Sequence, residues 1–313
     1  MPKNSIPRIT VVGSINMDLV LTAERAPSPG ENLIGRTYAY VPGGKGANQA
    51  VAAARLGGET CLAGKLGRDA NGRALREYLG GQKISTDFLV MDAASQTGLA
   101  VIVVESTGEN RILVYPGANL DLKKDEVDRA LSAPCDAVML QLEIPADVVV
   151  HTCCQARRKG VPVVLDAGPA QAFPLEELGG VEILSPNETE TLALTGTRCD
   201  SRSGIERAAA ALQKRAGARW VVIKLGRQGA FIYGDGRAEL FAAYEVVAVD
   251  PTAAGDAFTA AMTVEYVRSG DIGRAIRYGN IAGALTVLKL GAQPSLPSGA
   301  EVEAFARERG IKW

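Results

Sequence analysis

Short, largely apolar runs recur along the chain at 9–12, 137–140, 161–165, 181–184 and 220–224. A strand buried on both faces reads as such a run, whereas a half-exposed strand alternates. Ala-rich stretches with helical spacing lie between and after them, at 47–56, 148–159, 188–195, 205–216, 257–268 and 272–290. Strands separated by helices of this length predict βαβ units. The expected class is therefore α/β, with a central, mostly parallel sheet flanked by helices.

Two stretches break the rhythm. Residues 32–41 lack helical spacing and place Tyr38 and Tyr40 in alternation. Residues 97–104 and 111–115 predict a hairpin around Ser106-Thr107-Gly108-Glu109-Asn110. The pattern predicts a small accessory β-sheet from segments at roughly 18–43 and 97–117, on one domain spanning 1–313. The competing reading makes these segments edge strands of the main sheet. An accessory sheet could close over a ligand as a lid and exclude water.

The 313 residues are 47% hydrophobic, with a formal net charge of -1 and no charged tail. Nucleic-acid binding is not expected, because phosphate backbones demand a basic stripe. No run approaches the roughly twenty apolar residues that span a bilayer, so no membrane partner is expected. Met1 to Pro7 lacks the apolar core of a secretory signal. The five cysteines show no CxxC spacing, and Cys153 and Cys154 are neighbours. They are read as reduced thiols in a cytoplasmic protein. His151 is the only histidine, which excludes a histidine metal cluster within the chain.

Four segments carry candidate chemistry. In Asp250-Pro251-Thr252-Ala253-Ala254-Gly255-Asp256, small residues follow a strand-like run at 245–249 and open an apolar helix. Unpaired N–H groups at such a helix start favour an anion. Asp256 beside that anion could take a proton from an attacking hydroxyl. The plainer reading is a helix-start charge with packing residues. Pro42-Gly43-Gly44-Lys45-Gly46-Ala47-Asn48-Gln49-Ala50 is a second Gly-rich turn into a helix, with a spacing unlike a Walker A loop. Asn16 and Asp18 follow the first strand and suit a polyhydroxylated ligand, or form an ordinary turn. Asn187 and Glu190 could hold Mg²⁺ through waters, or cap a helix, or both. Lys224-Leu225-Gly226-Arg227-Gln228-Gly229 offers a turn for a nucleotide.

In this combination and order, the runs at 43–50 and 252–256 make the chain resemble the ribokinase family of carbohydrate kinases over essentially its whole length. The resemblance implies transfer of the γ-phosphoryl group of ATP to the 5-hydroxyl of ribose. It implies Asp256 as base and the amides of Ala253, Ala254, Gly255 and Asp256 as anion hole. It implies sugar contacts from Asn16, Asp18, Gly44, Lys45, Asn48 and Glu143. Asn187, Lys224, Gly226, Gly229, Gly255 and Asn280 would border the nucleotide, and Asn187 with Glu190 would lie near Mg²⁺. A potassium ion would be held by Asp250, Thr252, Thr286, Lys289, Gly291 and Ser295. A homodimer through the lid is implied as well. Pro251 and Asp166 depart from the family's usual Thr and Asn. A kinase of a related sugar such as 2-deoxyribose, or a non-catalytic sugar- or nucleotide-binding regulator, are the competing readings.

Overall fold

The computed structural model describes residues 5–311; residues 1–4 of the N-terminal stretch lie outside the described residues. The chain opens with β1 (Arg8–Val12), β2 (Asn16–Thr22), β3 (Thr37–Gly43), α1 (Lys45–Arg55), β4 (Glu59–Gly67) and α2 (Ala70–Gly81). Two short strands, β5 (Ile84–Ser85) and β6 (Leu89–Asp92), precede the hairpin of β7 (Gly98–Val104) and β8 (Asn110–Tyr115). Then follow α3 (Lys124–Leu131), β9 (Ala137–Leu140), α4 (Ala146–Arg158), β10 (Val163–Leu165), β11 (Ile183–Leu184), α5 (Glu188–Thr195), α6 (Arg202–Ala216) and β12 (Trp220–Lys224). The chain closes with β13 (Ala230–Gly234), β14 (Arg237–Phe241), α7 (Ala254–Ser269), α8 (Ile272–Thr286) and α9 (Gly299–Glu308).

The large sheet has the order β14-β13-β12-β11-β10-β9-β1-β4-β5, and β6 also pairs with β4. Pairing is parallel from β12 to β5, while β13 and β14 run antiparallel. Val12 of β1 faces Ala63 of β4 on one side and Leu140 of β9 on the other. The chain thus leaves β1 in one direction and later returns on the other side. That reversal opens a crevice at the carboxyl ends of β1 and β9.

Both faces of the sheet are covered, which explains the unbroken apolar runs. Ile9, Val11, Ala137 and Met139 pack toward α1, α7, α8 and α9. Val12, Val138 and Leu140 pack toward α3, α4 and α6. Ala47, Ala50 and Ala53 of α1 share one buried cluster with Ala257, Ala260 and Ala261 of α7. Side chains this small let the two helices approach closely, which sets their N-termini side by side.

The second sheet is separate from the first, with order β3-β2-β7-β8, so the edge-strand reading falls. Asn16 of β2 pairs with Gly43 of β3 and Gly98 of β7. Only Gly13 to Ile15 separate this sheet from β1. The outer strand β8 is exposed at every residue.

The 245–249 run is not a strand. The N–H groups of Val249 and Asp250 donate to the Val287 carbonyl at 2.7 and 3.1 Å, and Val247 is 87% exposed. Its consecutive apolar residues 246–249 therefore have no sheet neighbour to register against. The same Val287 carbonyl marks where α8 stops, at Thr286 and not at residue 290. Beyond it, Gly291 takes φ +85°, which helical backbone does not allow.

Candidate active site

Asp256 lies in the first turn of α7 and is 5% exposed. Ala253 precedes the helix with φ +61°, in the left-handed region. That conformation costs a residue with a Cβ roughly 1 kcal/mol. It turns the chain sharply into α7. The Ala254 N–H donates to the Pro251 carbonyl at 3.2 Å. The N–H groups of Gly255 and Asp256 have no acceptor among the described residues, as the start of a helix requires.

Two residues of α1 hold the Asp256 carboxylate. Asn48 Nδ2 donates to Oδ2 at 2.9 Å, and Gln49 Nε2 donates to Oδ1 at 3.1 Å. Burial drives this carboxyl toward its protonated form. The Lys45 ammonium opposes that effect, and the Asp166 carboxylate adds to it. Asn48 Oδ1 is buried with no partner among the described residues. This orphan acceptor sits on the same amide as the donor that holds Asp256, and could take a hydrogen from a ligand hydroxyl.

Lys45 is the positive centre of the site. Burial disfavours its charge, but Asp256, Asp166, Glu143 and Glu190 outweigh burial and keep it protonated. Gly168 makes room, since a Cβ there would stand 2.9 Å from Lys45 Nζ and overlap Glu190 Oε1. Among the described residues no three His, Cys, Asp or Glu side chains converge as a metal cage.

The sugar-side candidates come together at the β1 and β9 ends. Glu143 Oε2 accepts from Ser14 Oγ at 2.5 Å and from the Lys45 N–H at 3.4 Å. Asp18, on β2, has its carboxyl pushed up to about 7 by burial and by the neighbouring Glu143 and Asp256. Gly43 leaves space for that carboxylate. Gly44 takes φ +87°, and a Cβ on it would stand 2.7 Å from Asn16 N, so this turn admits only glycine.

The nucleotide-side candidates are arranged less tightly. Asn187 caps α5: its side chain accepts from Glu190 N at 2.8 Å, and Glu190 Oε2 accepts from Asn187 N at 2.7 Å. Lys224 Nζ pairs with Asp166 at 2.7 Å, and would stand 3.8 Å from a Cβ on Gly255. Gly226 and Gly229 bracket the turn after β12, with φ +52° and +102°. Asn280 donates to the carbonyls of Phe241 and Ala242 at 3.1 Å, so its amide holds the end of β14.

Asp250 joins two loops. Its Oδ1 accepts from Thr252 N and Oγ1 at 2.9 and 2.6 Å, and its Oδ2 accepts from Gly291 N at 2.8 Å. Burial favours its protonation, but these bonds outweigh burial and hold the carboxyl below its ordinary range. The Thr286 and Ser295 hydroxyls donate to the Ala282 and Ala292 carbonyls at 2.8 and 2.7 Å. Lys289 Nζ turns to Glu301 at 2.9 Å.

Gln49 and Gln141 were not read as site residues from the sequence. Gln141 Nε2 donates to Gln49 Oε1 at 2.6 Å, and Gln49 reaches both Asp166 and Asp256. A fully buried glutamine in an Ala-rich helix was the available signal.

A family model described as pfkB family carbohydrate kinase matches residues 7–299. The chain is 37% identical over 300 residues to a ribokinase of Haemophilus influenzae, covering 95% of this chain and 97% of that one. It is 32% identical over 293 residues to a deoxyribokinase of Salmonella typhi, covering 93% and 95%. The solved structure of Arabidopsis thaliana ribokinase complexed with ribose and ATP superposes with a TM-score of 0.86 at 34% identity, covering 96% and 98%. With a buried carboxylate at a bare helix start, on a fold and a sequence shared this fully, the chain is a ribokinase-like enzyme and belongs to the pfkB family of carbohydrate kinases.

Proposed function

We propose that the protein transfers the γ-phosphoryl group of ATP to the 5-hydroxyl of D-ribose, with Asp256 as general base. The observation that carries this reading is the Asp256 carboxylate held by Asn48 Nδ2, with Asn48 Oδ1 left unpartnered and the N–H groups of Gly255 and Asp256 free beside it. A hydroxyl bound there could donate to Asp256, and its oxygen could attack in line. Negative charge developing on the transferred group would meet the two amides, Lys45 and Lys224. The ribokinase relatives and the ribose- and ATP-bound structure support ribose and ATP as the substrates.

Asn16, Asp18, Gly44, Lys45, Asn48 and Glu143 would hold the sugar. Mg²⁺ would arrive on the nucleotide, with Asn187 and Glu190 near its waters, because Mg²⁺ keeps much of its hydration. A potassium ion fits the loops that Asp250 joins. With their hydroxyls spent, Thr286 and Ser295 would offer main-chain oxygens, the donors a hard cation takes. Bound there, it would stabilise the turn that carries the anion hole. The second sheet would close over the sugar as a lid. Its outer strand exposes Leu113 at 74%, on the same sheet face as Tyr38 of β3 at 71%, which supports a homodimer through this face. All five cysteines are free, which fits a reducing cytoplasm.

The deoxyribokinase relative favours 2-deoxyribose as the second reading. Purified protein, assayed for ATP consumption against a sugar panel with and without potassium, separates the two. Fastest turnover on ribose is expected. Turnover on fructose or a nucleoside with none on ribose would overturn the substrate assignment.

A further inference from the structure

Asn119 lies in the 3-10 turn Gly117–Asp121 after β8 and is 2% exposed. Its side chain bonds to Ile15, in the short connection between the two sheets, and to Asn16 at the start of β2. The Ile15 N–H, which can only donate, gives its hydrogen to Asn119 Oδ1 at 2.8 Å. That bond dictates which end of the amide is oxygen. Asn119 Nδ2 then donates to the Ile15 carbonyl at 3.2 Å and to Asn16 Oδ1 at 2.7 Å. The orientation of Asn16 follows in turn. Its oxygen is consumed, and its Nδ2 is left without a hydrogen bond among the described residues. Gly98, the register partner of Asn16 on β7, completes the arrangement. A Cβ on Gly98 would overlap both Asn16 Oδ1 and Asn119 Nδ2.

We propose that Asn119 is a positioning residue for sugar selection: it locks Asn16 so that an amide NH₂, and not a carbonyl oxygen, faces the substrate. One hydroxyl oxygen of a small polyhydroxylated sugar must then act as acceptor at that point. A sugar lacking that hydroxyl leaves the Asn16 donor unpaired, a larger penalty than a lost apolar contact. The inference rests on Asn16 being a sugar contact, as proposed above.

Asn119→Asp tests it, because a carboxylate still accepts from Ile15 N–H but cannot donate to Asn16. Asn16 is then free to turn its own NH₂ toward the carboxylate. Native and variant enzymes are compared for kcat and KM on ribose and its 1-, 2- and 3-deoxy analogues, all of which keep the 5-hydroxyl, with ATP. The native enzyme should penalise one analogue far more than the others. In the variant that penalty should fall by roughly ten-fold, with kcat on ribose within about two-fold of native and KM raised. Gly98→Ala attacks the same bond from β7 and should flatten the panel in the same way; it is also the readout if Asn119→Asp does not fold. Preserved discrimination in either folded variant overturns the inference. So does an equal loss on every sugar, which is what a purely structural role predicts. A native enzyme that turns over no pentose overturns the proposed pentose-kinase reading, a result distinct from both.

Discussion

Asp166 and Asp256 share one hydrogen-bond donor: Gln49 Nε2 stands 2.8 Å from the first carboxylate and 3.1 Å from the second. Asp166 is fully buried and also holds Lys224 at 2.7 Å. Its negative charge raises the proton affinity of Asp256. It would therefore help set the pH at which Asp256, the proposed base, becomes available.

Asp166→Asn removes that charge while keeping an acceptor for Gln49. A base must be ionised to accept a proton, so activity falls as pH drops through the carboxyl's raised pKa. Without Asp166 that pKa falls, and the acid limb of kcat/KM should move to lower pH. A pH–rate profile checks this; an unmoved acid limb would show that Asp166 does not tune the base.

Asp256→Asn should leave melting temperature and sugar affinity close to native while kcat drops by roughly 10²-fold or more, the scale of a lost general base. Steady-state kinetics with a thermal melt measures both. Near-native turnover would remove Asp256 from the role.

Asp18 is held near its titration point at neutral pH, with its carboxyl pushed up to about 7. An ionised carboxylate accepts stronger hydrogen bonds from sugar hydroxyls than a neutral one. KM for ribose should therefore fall as pH rises through about 7. Asp18→Asn should raise KM and abolish that dependence. The check is KM against pH for both proteins.

Asp250→Ala cuts the ties to Thr252 and Gly291 at once. The turn ahead of Ala253 loses its anchor, so activation by potassium should disappear and KM for ATP should rise. The native carboxyl is held below its ordinary range, so the bonds it makes are present above that range and are lost as pH falls through its depressed pKa. Potassium titrations of native and variant enzyme test this directly.

In the proposed dimer Leu113, 74% exposed on β8, would lie in the interface, where a buried charge is costly. Leu113→Glu should convert a dimer to monomers, as read by sedimentation velocity. A native protein that sediments as a monomer would contradict the lid interface.

Much of this fold was legible because its strands are buried on both faces. β9 and β12 appear in the sequence with the boundaries they have in the structure, since apolar runs and flanking turns coincide there. β2 falls mostly within the 18–43 segment expected in the accessory sheet, but its start at Asn16 reads as a turn because it follows β1 by only three residues. β4 was missed because it buries Lys65, whose charge is met by Asp92 and Glu126 from elsewhere in the chain. The site's motifs were visible as motifs. The partnership of Asn48 with Asp256 was not, because it depends on two Ala-faced helices meeting 208 residues apart. The binding of Gln49 to two carboxylates likewise leaves no mark on local sequence.

The most direct test of the account is a crystal structure with ribose and a non-hydrolysable ATP analogue. It should place the 5-hydroxyl within about 3 Å of an Asp256 oxygen, with the terminal phosphate on the Gly255 and Asp256 amides. A terminal phosphate bound away from those amides, or a hydroxyl turned away from Asp256, would contradict it.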